Sequence, residues 1–136
     1  VISWWKSRRP EVIECEQVVY DETRGYAGRF DLLITPDSPM LVDLKTSKGV
    51  YSSHAIQANL YRLACTASGY PTPTRLAIVR VAADGSWQEV EIPINSRWAT
   101  AALDIYRIGG DIERSLRSNV KQARKGAAEL PLQAAA

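Results

Sequence analysis

The sequence predicts an α/β domain with a mixed central β-sheet flanked by helices. Three observations carry this. Segments rich in β-branched residues, such as "VIECEQVVY" (12–20) and "TRLAIVRVA" (74–82), alternate with stretches of helical periodicity. The connections between them are short and marked by turn residues. At 136 residues the chain can bury one core but not two. The predicted order is α-β-β-β-α-β-β-α.

Residues 2–9, "ISWWKSRR", read as the end of a helix stopped by Pro10. "VIECEQVVY" is the first strand, "DETRG" turn material, and "YAGRFDLLI" (26–34) the second strand. After the tight connection "TPDSP", "MLVDLKT" (40–46) is the third. A helix is expected from about Ser53, a good N-cap residue, to Cys65–Ser68, ended by Gly69 and Pro71. "TRLAIVRVA" and "SWQEVEIPI" (86–94) flank Asp84-Gly85, the strongest hairpin signal in the chain. From Asn95 or Ser96 the spacing of Trp98, Ala102, Ile105, Ile108, Ile112 and Leu116 predicts a long amphipathic helix, which Gly109-Gly110 should break or bend. Residues 127–136 lack periodicity and are expected to form a flexible tail, leaving 1–126 as a single domain.

Composition excludes several classes. With 46% hydrophobic and 24% charged residues and a net charge of +2, overall charge selects no partner. Basic residues outnumber acids from Arg107 onward, but a solvated helix face explains such a run better than a polyanion site. Cys15 and Cys65 are far apart, form no CxxC pair, and read as small buried hydrophobes in a reducing compartment. No apolar run approaches membrane-span length, so no membrane partner is expected. The chain begins with Val, and a missing front segment is the expectation.

The chemistry lies in the second and third strands. Side chains alternate faces along a strand, so Leu41, Asp43 and Lys45 share one face and Val42 and Leu44 the other. By the same parity Phe30, Leu32 and Ile34 share a face, opposite Arg29, Asp31 and Leu33. If the strands form a hairpin, the simplest even register sets Asp31 against Asp43 and Leu33 against Leu41. A slip of one residue would bury a carboxylate on the core face. Cross-strand neighbours lie about 5 Å apart, and like charges so placed repel.

A divalent cation between the carboxylates resolves that conflict. Lys45, one pleat on, would flank both the cation and a substrate phosphate. Hard oxygen donors without His or Cys select Mg²⁺ or Mn²⁺ over zinc. Such an ion polarises a phosphoryl oxygen and gives hydroxide near neutral pH. The lysine would orient the water or offset charge building in the transition state. A plain surface salt-bridge cluster explains the spacing equally well, because D-x-K is short and common.

The combination of motifs tilts the balance. "GRFD" (28–31), "VDLK" (42–45) and "QANLY" (57–61), in that order, resemble the motifs of the PD-(D/E)XK nuclease superfamily. Its RecB-like branch, with phage exonucleases of that type, is the nearest match, over about residues 10–68. The resemblance implies a restriction-endonuclease-like αβββαβ core and a Mg²⁺ or Mn²⁺ cofactor. It makes Asp31 and Asp43 metal ligands, joined by the backbone carbonyl of Leu44, and Lys45 the catalytic lysine. Gln57 and Tyr61, four apart on one helical face, would line the site and position DNA or Lys45. An upstream acid normally completes the set. Glu14 and Glu16 share a face, either could serve, and the family pattern favours Glu16. A His or Glu on a preceding helix, present in many relatives, has no counterpart in residues 1–10.

The function so implied is a metal-dependent deoxyribonuclease, an exonuclease of phage or bacterial DNA recombination, replication or repair. Its setting would be the cytoplasm of a bacterium or a phage-infected host cell. DNA is the expected partner, with a homo-oligomer or a recombination or replication protein as further candidates. A structure-specific endonuclease (a resolvase or nickase) and a catalytically silent DNA-binding module of the same fold are the alternatives. Arg29 and Lys48 are candidate phosphate contacts. His54 reads as a surface or capping residue, and Trp4, Trp5 and Trp98 as packing before base stacking.

Overall fold

A computed structural model describes residues 1–129, and it splits each of the first two predicted strands in two. The elements are α1 (Ile2–Arg8), β1 (Val12–Cys15), β2 (Val18–Asp21), β3 (Tyr26–Arg29), β4 (Leu32–Ile34), β5 (Met40–Lys45), α2 (Ser52–Ala67), β6 (Arg75–Val81), β7 (Trp87–Ile92) and α3 (Ser96–Glu129). Five strands form one mixed sheet in the order β1-β4-β5-β6-β7, with β5 and β6 parallel. β2 and β3 form a separate ribbon. The α-β-β-β-α-β order expected of the core is present in α1, β1, β4, β5, α2 and β6.

β1 to β4 are one antiparallel hairpin with a bend across both legs. Cys15 lies opposite Leu32 and Val18 opposite Arg29, a single register carried across the break. There the Glu16 N–H donates to Asp31 O (2.8 Å) and the Phe30 N–H to Gln17 O (3.1 Å). Glu16 takes φ 50°, a left-handed backbone that costs a residue with a Cβ about 1–2 kcal/mol. The bend shifts the side-chain alternation. Phe30 packs with Leu33 and not, as the uninterrupted strand predicted, with Leu32 and Ile34.

β5 is central, and both of its faces are covered. Leu41 packs with Leu33, Leu76 and Ile78 beneath Ala58, Ala64 and Cys65 of α2. Met40 and Val42 pack with Leu32, Ile34, Ala77 and Val79 against Trp4 of α1. This is why "MLV" reads as a continuous apolar run. Trp4 is fully buried, its Nε1 donates to Glu89 Oε2 (2.8 Å), and Arg8 pairs with the same carboxylate. Trp5 and Trp98 are partly exposed. Cys65 is buried, but Cys15, expected to be buried, is exposed at the end of the sheet's edge strand.

Local signals place the ends of elements. The Asp84-Gly85 hairpin forms with Gly85 at φ 84°, and Asp84 Oδ1 accepts from Ser86 N (2.9 Å). α2 starts one residue before the predicted cap, and His54 Nδ1 accepts the Tyr51 N–H (3.1 Å), so His54 is a capping residue.

The chain divides into two compact units, Val1–Thr100 and a second that starts at Ala101. α3 runs through Gly109 and Gly110 without the predicted break. A mid-helix glycine costs only about 1 kcal/mol, and pairs at helical spacing bracket these two: Asp104 with Arg107, Asp111 with Arg114, Glu113 with Arg117. The predicted tail starts inside the helix, since 127–129 are helical, and 130–136 lie outside the described residues. Among the described residues no helix is long and apolar enough to cross a membrane.

Trp4→Ala should destabilise the chain by about 3–5 kcal/mol. Glu89→Ala, which strips the buried indole N–H of its acceptor, should cost about 1–3 kcal/mol. Urea denaturation would rank them, and equal costs would mean that the acceptor matters as much as the packed ring.

Candidate active site

The hairpin register predicted for the two carboxylates is the observed one. Leu33 pairs with Leu41 and Leu32 with Val42, so the next step brings Asp31 beside Asp43. The β4 ladder stops there, and a side chain continues it: Asp31 Oδ2 accepts the Leu44 N–H at 2.7 Å. In a strand a residue's N–H and C=O point to the same neighbour. The Leu44 carbonyl is therefore presented to the edge that Asp31 occupies.

Asp43 is 4% exposed. Lys45 Nζ lies 2.8 Å from its Oδ2 but off the hydrogen-bonding direction, and that buried oxygen has no hydrogen-bond donor. Burial raises the Asp43 pKa above the ordinary aspartate value. Lys45 opposes this and the neighbouring Asp31 adds to it. An oxygen so buried and incompletely satisfied is costly, unless the site exists for something that binds it.

A polar chain runs from the carboxylates into α2. Lys45 Nζ donates to Gln57 Oε1 (2.8 Å), and Gln57 Nε2 donates to Tyr61 Oη (3.0 Å). Burial, then the charges of Asp43 and Asp31, raise the Tyr61 pKa against the Gln57 hydrogen bond. The Tyr61 ring lies on the β2–β3 ribbon at Gly28, where a Cβ would stand 2.6 Å from Cε1. Gly28 is required there by close approach.

Of the expected site residues, Asp31, Asp43, Leu44, Lys45, Gln57 and Tyr61 come together. Glu16 does not join them through its side chain. Its backbone touches Asp31, but its carboxylate pairs with Arg29 at 3.0 Å, and both side chains are well exposed. Glu14 accepts from Gln17 (3.2 Å). Arg29 was placed on the site face by strand parity; the bend at Asp31 resets that parity, and Gly28 is the residue that meets α2. Lys48 is exposed in the loop after β5. Among the described residues no three His, Cys, Asp or Glu side chains gather so as to hold a metal.

Two contributors escaped the sequence reading. Buried Asn59 donates to Ala55 O (2.9 Å) and Pro93 O (3.1 Å) and accepts from Asn95 N (2.7 Å). It pins α2 to the segment after β7. Its place inside "QANLY" was visible, but the partners that tie it across the fold, Pro93 and Asn95, are remote in sequence. Arg80 aligns with Lys45 in the parallel ladder and holds Ser47 O at 2.6 Å, bracing the loop that follows the lysine. Parity along β6 would have put Arg80 on the face of Leu76 and Ile78, had the pairing of β6 with β5 been known.

No family model matches the chain, and no curated protein does. Among solved structures, the crystal structure of SSO0001 matches with a TM-score of 0.44 and 21% identity, over 79% of this chain and 54% of that one. The chain thus spans about half the length of that structure.

Gly28→Ala forces the Tyr61 ring aside and should cost about 1–3 kcal/mol. In a Tyr61→Ala background the clash is gone, so the double variant should be more stable than the summed single costs by about 1 kcal/mol. Additivity in that cycle would remove the contact from the account.

Asp43 gives a pH signature. A folded-state pKa above the unfolded value contributes stability that is fully present below the unfolded pKa and is lost as pH rises through the folded one. Asp43→Asn deletes this titration, so it should raise the urea midpoint at pH 7, with the gain shrinking as pH falls through the raised pKa. A variant less stable at both ends would mean that the Lys45 pair outweighs desolvation.

Proposed function

We propose that the chain is a Mg²⁺- or Mn²⁺-dependent deoxyribonuclease of the PD-(D/E)XK type, RecB-like branch, acting as an exonuclease. The observation that carries this reading is the pair Asp31 and Asp43, held side by side with the Lys45 ammonium against the inner one. The motif order that first suggested the family and the geometry meet on the same residues.

The donor set fits such an ion. Two carboxylates without His or Cys are hard oxygen ligands, and Mg²⁺ needs only one or two from protein. The Asp43 Oδ2 and the free lone pairs of Asp31 would supply ligands, and the Leu44 carbonyl would offer a third from the same edge. When bound, the ion would polarise a phosphoryl oxygen and acidify a water. Glu16, turned to Arg29, is left out, which favours one well-held ion over two.

The chain's own residues supply the rest. An ammonium has three donors; Gln57 takes one, Asp43 pairs with the charge alone, and the remaining donors are left for a phosphate oxygen or the attacking water. Charge gathered on the phosphate in the transition state is stabilised by a donor already in place. Gln57, anchored on Tyr61, fixes the direction of Lys45. Arg80 holds the loop at the same strand ends. Contacts of this kind read backbone, so binding should weaken steeply with salt and show little sequence preference.

Linear and covalently closed duplex DNA, incubated with Mg²⁺, Mn²⁺ or EDTA, would test the proposal. Loss of the linear substrate only, abolished by EDTA and slowed on the order of 10²-fold or more by Lys45→Ala, is the expected result. Cutting of the closed circle would replace the exonuclease with an endonuclease. Binding without cleavage in any metal would leave a silent DNA-binding module, and cleavage indifferent to Lys45→Ala would sink the mechanism.

A further inference from the structure

Strand β6 carries two arginines, one near each end, and they are held differently. Arg75, at the start, is neutralised: its Nε donates to Glu91 Oε1 (3.1 Å), and its Nη1 lies 3.6 Å from Asp37 Oδ1. Arg80 stands at the other end, between Lys45 on β5 and Gln88 on β7, its aligned neighbours. Neither is an acid. Among the described residues no carboxylate lies within ion-pair reach of Arg80, and its only hydrogen bond runs from Nε to Ser47 O (2.6 Å). Asp84, in the turn beyond, feels the Arg80 charge. It spends Oδ1, however, on the Ser86 N–H and hydroxyl (2.9 and 2.6 Å).

The brace on Ser47 accounts for a donor and not for a charge, since a carbonyl accepts equally from a neutral N–H. Like charges on neighbouring strand positions destabilise a sheet. Lys45 is offset by Asp43 at 2.8 Å, whereas Arg80 has no such partner. A guanidinium is a planar fork of five donors. With Nε held by Ser47, the end edge of Nη1 and Nη2 is left, and that edge can grip a phosphate through two parallel hydrogen bonds. The side chain is partly exposed, so a ligand can reach it. It shares the sheet face of Lys45 and lies one strand spacing away, about 4.8 Å. A nucleic-acid strand carries a phosphate at every nucleotide, so a strand placed at Lys45 has another phosphate to offer beside it.

We propose that Arg80 is a second phosphate site, whose end edge holds a backbone phosphate next to the one at Lys45. The inference rests on reading this cluster as one that handles DNA. It adds a grip on the strand that takes no part in the cleavage step.

Binding of a fluorescently labelled linear duplex, followed against salt in EDTA and again in Ca²⁺, tests it. The logarithm of affinity falls with the logarithm of salt concentration by about 0.9 for each phosphate neutralised. Arg80→Gln, which keeps a neutral N–H, should bind about tenfold more weakly and flatten that slope by about 0.9. Arg80→Lys should keep the wild-type slope, which a displaced loop would not do. Arg75→Gln, at the far end of the same strand, should leave the slope unchanged. Equal slopes for wild type and Arg80→Gln overturn the inference. So does an equal flattening by Arg75→Gln or by Arg80→Lys, and so does a wild type that binds no duplex in either condition. The nuclease reading is judged on cleavage and this one on the salt slope, so either can fail while the other stands.

Discussion

Where β4 ends, a side chain takes over its pairing with β5, and the rest of the site depends on that substitution. The Asp31 carboxylate accepts the Leu44 N–H that the bent chain no longer reaches with backbone. This bond fixes Asp31 beside Asp43 and secures the end of β5 from which Lys45 projects. The bend makes it possible. A straight hairpin would leave Asp31 within a ladder and carry β2 and β3 onward with the sheet. Instead the ribbon turns to α2, where Tyr26 Oη donates to Leu60 O (2.6 Å) and Ser68 Oγ bridges the Tyr20 backbone. That same turn sets Gly28 under Tyr61.

The energetics separate site from scaffold. The two apolar layers that sandwich the sheet are ordinary packing, and the buried polar groups within them are satisfied: Trp4 by Glu89, Asn59 by three backbone groups. Among the described residues Asp43 is the exception, with an oxygen that lacks a donor. A fold selected only for stability would place an apolar residue at the end of this strand. The carboxylate therefore represents stability given up at one point, compensated by the core around it. The Lys45–Gln57–Tyr61 chain limits the cost, since each group in it has a partner and each fixes the orientation of the next.

What was legible in the sequence follows the range of the interactions. The register of Asp31 against Asp43 was readable because apolar alternation on two neighbouring strands leaves few pairings. The Asp84-Gly85 turn and the α2 boundaries follow from local chemistry. Three things were not legible. The bend at Glu16–Gln17 and Phe30–Asp31 has no glycine or proline to announce it; Glu16 takes the positive φ in a strand of β-branched neighbours, and the error passed directly to Arg29. The two-sided burial of β5 depends on α1, whose single deep anchor is Trp4. Asn59 and Arg80 act on backbone groups 34–36 and 33 residues away, and no spacing rule reaches that far.

The position of the cluster also follows from topology. β5 and β6 are parallel, joined through α2, so their carboxyl ends and the N-terminal half of α2 meet at one end of the sheet. In open α/β sheets that is where ligands bind, because the backbone pairing ends there and the connecting loops diverge. Lys45 and Arg80 are aligned partners at these ends, one turned to Asp43 and Gln57, the other to the loop carbonyl of Ser47. Gln57 comes from the second turn of α2. Two carboxylates thus stand beside two basic side chains at the end of the sheet. The ends of β5 and β6 bring carboxylates and cations together within one strand spacing.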